Sequence, residues 1–541
     1  MTYDYIIVGA GSAGCALAGR LADARVGSIA LLEAGGHDQK RVISIPIGFA
    51  ATVPKAGPFN YGFNSVPQPG LNGRQNYQPR GRGLGGTSSI NGMIYIRGVP
   101  SDYDQWAEQG CDGWSWREVL PYFKRSEANA RLAGHADNDL HGGRGPLKVA
   151  DTRSTNPFDR RFIEAALAAG HPYNHDFNGS TQEGVGFYQR TQRDGERWNA
   201  ARAYLHGGSG ALNGGRENLE VLTETQVLRI VFEDKHAVAV EVIRNGQREV
   251  LRARREIILS AGSFASPQLL MVSGVGPADQ LAEHGIEMVR EAPSVGQNLQ
   301  EHVDLKLHHR LFSTDLYAAS LPGGLRLLRE WRRYQRERYG MFASIIVETG
   351  AFLKSRADLV DPDLQLHFGT ALGDPQKLTR HGYNCHVCVL RPHSRGQVRL
   401  ASADARVAPQ IDPNLLGDPR DLETLLAGAR IVKRILDQKP LAALGGHAHF
   451  HAHLKFDGSD DEAVKQMIRE HAETAFHPVG TCRMGSDEAS VVDPQLRVRG
   501  VQGLRVVDVS IMPTLIGGNT NAPAMMIGEK AADLLIGEQQ R

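Results

Sequence analysis

An apolar run, Tyr5-Ile6-Ile7-Val8, leads straight into Gly9-Ala10-Gly11-Ser12-Ala13-Gly14, and residues 15–21 continue with helical character. This order reads as strand, tight turn and helix, the opening of a βαβ unit that binds a dinucleotide. Gly9 permits the turn, Gly11 lets backbone approach a pyrophosphate, and Gly14 lets helix and strand pack closely. The helix start then presents free N–H groups and the positive end of its dipole to phosphate. A second apolar segment, residues 28–32, runs into Glu33, nineteen residues beyond Gly14. A carboxylate there can accept hydrogen bonds from a ribose diol. Glycines, strand, helix and acid in register predict an α/β fold, but they do not choose between nicotinamide and flavin dinucleotides.

A chain of 541 residues has room for two or more domains. Its net charge of +1 argues against a nucleic-acid partner. Five cysteines do not suggest a disulfide framework, and no spacing suggests a metal site. Cys385 and Cys388 have redox-motif spacing but sit in a strand-like alternation, where they would not share a face. No apolar run reaches the ~20 residues of a membrane helix, and the N-terminal apolar run is occupied by the glycine turn, so the expected location is cytoplasmic. Further strands are expected at 221–231, 256–260 and 504–508. Leu364, Leu366 and Phe368 should share one face of another. The stretches 155–215 and 310–470 are richer in aromatic residues and arginine, which suggests a second domain threaded through the first.

Residues 325–339 are amphipathic and arginine-rich. One reading is docking to an anionic membrane surface, peripheral to its inner face, with access to quinone. The other is an ordinary solvated helix, favoured by the interrupting Glu330 and Glu337. The segment Arg80-Gly81-Arg82-Gly83-Leu84-Gly85-Gly86-Thr87-Ser88-Ser89-Ile90-Asn91-Gly92-Met93 is dense in glycine and is expected to lead into a helix. Its N–H groups could hold more phosphate or a ring system.

Residues 81–104 resemble the first signature of the glucose–methanol–choline oxidoreductases, FAD-dependent alcohol dehydrogenases and oxidases. Residues 262–276 resemble the second. Val295-Gly296-Gln297-Asn298-Leu299-Gln300-Glu301-His302 resembles a further block, with Glu301 where Asp is commoner. Asp176-Phe177-Asn178-Gly179 with Gln182-Glu183-Gly184 is similar to the bacterial choline, alcohol and sorbose dehydrogenase branches. The resemblance spans essentially the whole chain. It implies a Rossmann-like FAD-binding domain (1–154, 216–309 and 471–541) with an interleaved substrate-binding domain of β-sheet plus helices (155–215 and 310–470).

The same resemblance assigns residues to FAD. Gly9, Gly11, Ser12, Ala13, Gly14 and Glu33 would hold the ADP half, Val227 the adenine through its backbone, and Ala261 the adjoining strand end. Gly86, Asn91 and Gly92 would lie near the flavin, and Asp508 near the pyrophosphate and ribityl chain. Asn519 to Pro523 would flank the pyrimidine side of the ring. Ile90 stands where some members carry the histidine that bonds covalently to flavin, so FAD is expected to be non-covalent. In Phe476-His477-Pro478 the histidine would be the base that takes the alcohol proton, a role suited to imidazole. Asn521 would be its partner. The substrate would be a small-molecule alcohol and the acceptor oxygen or a quinone. A light-driven fatty-acid decarboxylase on the same scaffold and a non-catalytic flavoprotein are the alternatives. The His477/Asn521 pair favours alcohol oxidation.

Overall fold

The computed structural model describes residues 1–132, 137–154, 156–206, 211–373, 378–448 and 454–539. Two sheets organise it. Their strands, in chain order, are β1 (Thr2–Val8), β2 (Ile29–Leu32), β3 (Gly184–Phe187), β4 (Leu219–Leu222), β5 (Thr225–Glu233), β6 (His236–Arg244) and β7 (Gln247–Leu259). They continue with β8 (Val303–Arg310), β9 (Val347–Leu353), β10 (Leu364–Gly369), β11 (Gly382–Val389), β12 (His447–Ala448), β13 (Glu473–Thr474) and β14 (Leu504–Val506). The helices that matter for the site are α1 (Ser12–Asp23), α2 (Pro157–Ala168), α3 (Gly262–Val272), α4 (Leu321–Glu337), α5 (Pro419–Leu436) and α6 (Asn521–Gln539).

The first sheet runs β4-β2-β1-β7-β6-β5, with β14 beside β7. β4, β2, β1, β7 and β14 are mutually parallel, and β5 and β6 extend the sheet as antiparallel strands. Val8 is in register with both Leu32 and Leu259, so the parallel strands end level. Gly9, Glu33 and Ser260 follow those ends side by side, where an open α/β sheet holds its ligand. β1 and β2 are apolar almost throughout because both faces are covered, as parallel strands require. Gly14 is what lets α1 lie so close. A Cβ there would sit 2.0 Å from the carbonyl oxygen of Gly9.

The second sheet is antiparallel, in the order β12-β8-β11-β10-β9-β3, with β13 beside β8. Strand alternation divides its residues between two faces. Leu305, Leu307, Leu364, Leu366, Phe368, Cys385 and Val387 enter a core with α2 and α5. Asp304, Lys306, His367 and His386 face the other way, onto a cavity. Leu364, Leu366 and Phe368 therefore share a face as their spacing predicts. Cys385 and Cys388 lie in different apolar clusters on opposite faces and are free and buried.

Two expectations change. The strand expected at 221–231 is two strands, because Glu224 adopts φ +52° and turns the chain out of the parallel sheet into the antiparallel extension. No helix follows Gly86–Ser89, a single 3₁₀ turn; Met93 at φ +57° keeps the segment irregular until Pro100. Residues 303–309 pair into the second sheet, and Ala200, Ala201 and Tyr204 pack in the core of the first.

The Gly14 contact gives the first prediction. Gly14→Ala should lower stability by about 1–3 kcal/mol through overpacking and reduce bound dinucleotide per chain. Thermal unfolding and cofactor stoichiometry measure both; wild-type values for both would mean the turn can open.

Candidate active site

A cavity of about 1100 Å³ runs from the ends of β1, β2 and β7 to the inner face of the second sheet. At one end it meets the glycine turn. Gly9, Gly11, Ser12 and Ala13 line it, together with Glu33, Gly86, Asn91, Gly92, Val227, Ala261, Asp508, Asn519 and Asn521. Gly14 and Pro523 do not: Gly14 packs beneath the turn, and Pro523 is buried in the first turn of α6.

Several of these residues build the cavity as well as lining it. Glu33 accepts hydrogen bonds from the backbone N–H groups of Gly35 at 2.8 Å, Gly83 at 2.9 Å and Ala10 at 3.1 Å. It thereby draws three loops together. Asp508 accepts from Gly262 N–H at 2.9 Å, Ser266 Oγ at 2.6 Å and Ser510 N–H at 2.8 Å, fixing the start of α3. Gly86 has φ +51°, and a Cβ on it would come within 2.8 Å of Gly11 Cα, so the second glycine loop lies directly against the first. Asn91 accepts from Arg197 Nη1 at 2.9 Å; that arginine also donates to the Ser88 carbonyl at 3.1 Å, and burial brings it down to about 9.

His477 lies on the opposite wall. Its Nδ1 is 3.0 Å from Nδ1 of His302, and His302 Nε2 is 3.1 Å from the carbonyl oxygen of Leu390. A carbonyl only accepts, so His302 carries its proton on Nε2. Burial pulls His302 down to about 3, so the ring is neutral and Nδ1 is an acceptor. It accepts from His477 Nδ1–H, which leaves a lone pair on His477 Nε2. Burial, then the neighbouring His302, His367 and Arg80, hold His477 well below the ordinary histidine value, so this tautomer stays neutral.

The residue against that lone pair is Asn519, not Asn521. Asn519 Nδ2 donates to His477 Nε2 at 3.1 Å. Its amide is oriented by Gln365 Nε2, which donates to Asn519 Oδ1 at 3.1 Å. Gln365 Nε2 also donates to Tyr188 Oη at 3.4 Å, and Tyr188 in turn donates to the Leu366 carbonyl at 2.6 Å. Asn521 instead accepts from Ser12 Oγ at 2.7 Å and bridges the first turns of α1 and α6. The expected pairing of His477 with Asn521 is thus corrected by two residues. The turn before α6 aims Asn519 at His477, while Asn521 has already entered the helix.

Below His477, Glu301 accepts from the backbone N–H of His477 at 2.6 Å and of His302 at 3.0 Å. Burial raises its carboxyl to about 7, against the opposing pull of Arg80. On the sheet side, Asp304 accepts from His386 Nδ1 at 2.8 Å, and its Oδ1 is buried without a partner. Among the described residues no cluster of histidine, cysteine and carboxylate could hold a metal ion.

Family models of GMC oxidoreductases match residues 3–304 and 392–528. The chain belongs to this family. It is 44% identical to the alcohol dehydrogenase [acceptor] of Pseudomonas putida over 99% of the chain and 96% of that protein. It is 40% identical to the oxygen-dependent choline dehydrogenase of Rhizobium etli over 100% of the chain and 96% of that protein. Among solved structures, pyridoxine 4-oxidase from Mesorbium loti superposes with TM-score 0.86 at 29% identity, covering 99% of each chain. A formate oxidase of Aspergillus oryzae, studied for its FAD modification, gives 0.89 at 26% identity over 100% of this chain and 99% of that one.

The cofactor of this GMC oxidoreductase is FAD, and the cavity fits it. Glycine backbone forms the wall where phosphate must come close, α1 and α6 both begin there, and Asn521 Nδ2 is a buried donor with no protein partner. Residues 9–13, Glu33, Val227, Ala261, Asp508 and Asn521 would hold the nucleotide part. Residues 86–92 and Asn519 would lie toward the flavin. Sequence reasoning missed His302, Gln365 and Asp304. The first follows Glu301 in a motif already singled out; the other two had no local signal, because only sheet pairing brings them to the cavity.

The geometry makes a pH prediction. Glu301, at about 7, is the group beside His477 that changes charge near neutrality, while burial holds His477 well below its ordinary value. Any acid limb near pH 7 in the rate of FAD reduction by alcohol should therefore vanish in Glu301→Gln, leaving a flat profile from pH 5 to 8. Persistence of the limb in that variant would assign it to His477.

Proposed function

We propose that this enzyme oxidises an alcohol to an aldehyde or ketone, with His477 as base and Asn519 as its partner. The observation that carries the reading is the lone pair of His477 Nε2 set 3.1 Å from the Nδ2–H of Asn519 on the cavity wall. An alcohol hydroxyl entering between them donates to the first and accepts from the second. His477 takes the proton at Nε2, while Nδ1–H to His302 keeps the ring from turning. Asn519 holds the oxygen as negative charge grows on it, and Gln365 prevents its amide from flipping. Bound FAD supplies the acceptor for the hydride that leaves the carbinol carbon. Burial serves the base by keeping it unprotonated before substrate arrives and by excluding water.

Two asparagines two residues apart should separate by phenotype. His477→Ala should retain FAD and lose about 10²–10⁴-fold in anaerobic FAD reduction by alcohol. Asn519→Ala should do the same with a loss of about 10²–10³-fold. Asn521→Ala should instead lose FAD on gel filtration and keep near-normal turnover per bound FAD. Wild-type reduction in His477→Ala, or exchanged phenotypes for the two asparagines, would refute the assignment. In the same preparations acid precipitation should release all flavin to the supernatant, because Ile90 offers no atom for a covalent link.

The far wall bears on the substrate. Asp304 keeps an unpartnered acceptor, and Lys306 and His386 add donors beside it. This favours an alcohol with a second hydroxyl. In a panel of alcohols, diols should show higher kcat/KM than simple alcohols of equal carbon number, and Asp304→Ala should erase the difference. Equal values in the unmodified enzyme would exclude it.

A further inference from the structure

A helix packed on a protein in water normally turns its leucines inward. α4 turns three of its four leucines outward. It buries Gly323, Glu330 and Tyr334, while Leu321, Leu325 and Leu328 are 82%, 65% and 50% exposed. Its inward anchors are polar: Glu330 accepts from the Met341 N–H at 3.3 Å, and Tyr334 Oη donates to the Gly195 carbonyl at 3.1 Å. The leucines do not stand alone. Ser320, which caps the helix, is 2.6 Å from His381 Nε2, and the His381 ring lies 4.8 Å from that of Phe312, itself 70% exposed. Ala319 N–H donates to the carbonyl of Leu378, also exposed. Large apolar side chains thus gather at the N-terminal end of α4.

The same outer face continues into Arg329, Arg332 and Arg336, at helical spacing from Leu325 and Leu328. The helix's own carboxylates are engaged elsewhere: Glu330 pairs with Arg326 and Glu337 with Arg333. Among the described residues the three outer arginines have no carboxylate partner.

We propose that this face docks on an anionic phospholipid bilayer. Leu321, Leu325, Leu328 and Phe312 enter the boundary between headgroups and acyl chains, and the arginines meet lipid phosphates while their stems lie along the apolar surface. Charge favours a bilayer over a second copy of the chain, which would bring the same cations and no carboxylate to that face. The position also has a consequence for the site. Trp331 packs on Phe342 with ring centroids 5.1 Å apart, and Ile345 and Val347, just beyond, line the active cavity. Docking would bring that wall of the cavity close to the membrane.

The test is co-sedimentation of the FAD-loaded enzyme with vesicles of phosphatidylcholine alone or with 30 mol% (roughly one lipid in three) phosphatidylglycerol. Binding to the anionic vesicles, weakened by salt, is expected. The triple variant R329Q/R332Q/R336Q should bind about a hundredfold more weakly, from about fivefold per arginine. L325S/L328S should also lose binding. Both variants should keep FAD and turnover with a water-soluble acceptor dye, which separates this proposal from the alcohol-oxidation reading. No sedimentation of the unmodified enzyme with anionic vesicles, or binding by both variants equal to that of the unmodified enzyme, overturns it. So does light scattering that shows a dimer broken by L325S/L328S in an enzyme that ignores vesicles.

Discussion

One buried carboxylate holds the nucleotide end of the molecule together. Glu33 leaves the end of β2 and receives N–H groups from the first glycine turn, from its own loop and from the second glycine loop. Those loops are glycine-rich for close approach and so have little side-chain packing to fix them. A charged acceptor with three N–H donors supplies the missing order, since hydrogen bonds to an ionised group are the stronger kind. The level ends of β1, β2 and β7 then set where the phosphate wall stands, and the second sheet is placed opposite it.

The wall that carries His477 obeys a different logic. There the order comes from a line of neutral hydrogen bonds running between two backbone carbonyls, those of Leu390 and Leu366. Each carbonyl can only accept, so every donor between them has its direction fixed. Two histidines, an asparagine, a glutamine and a tyrosine are placed by this line, and the lone pair on His477 is its product. Such a network is effective because it is dry; burial that would penalise a charge here selects one tautomer.

The nucleotide side was legible in the sequence because its signals are local. Gly9, Gly11 and Glu33 are spaced by the geometry of a single βαβ unit, and the residues inferred for FAD line the cavity except Gly14 and Pro523. His477 was legible from its rigid Pro/Gly setting together with a family likeness. Asn519 and Asn521 were not distinguishable, since two asparagines in one turn differ only in where the helix begins. Gln365, His302 and Asp304 come from β10 and the start of β8, and no spacing along the chain encodes that these strands flank β11. The break at Glu224 falls in the polar stretch Thr223-Glu224-Thr225-Gln226, and no local spacing encodes the change from parallel to antiparallel pairing across it.

Ser12 and Asn521 join the first helix to the last. The cavity for FAD is thereby lined by residues 509 positions apart in the sequence. A polypeptide still on the ribosome exposes the glycine turn long before α6 exists. A nascent chain without α6 lacks that wall, and the polypeptide must bring α1 and α6 together before the cavity is complete.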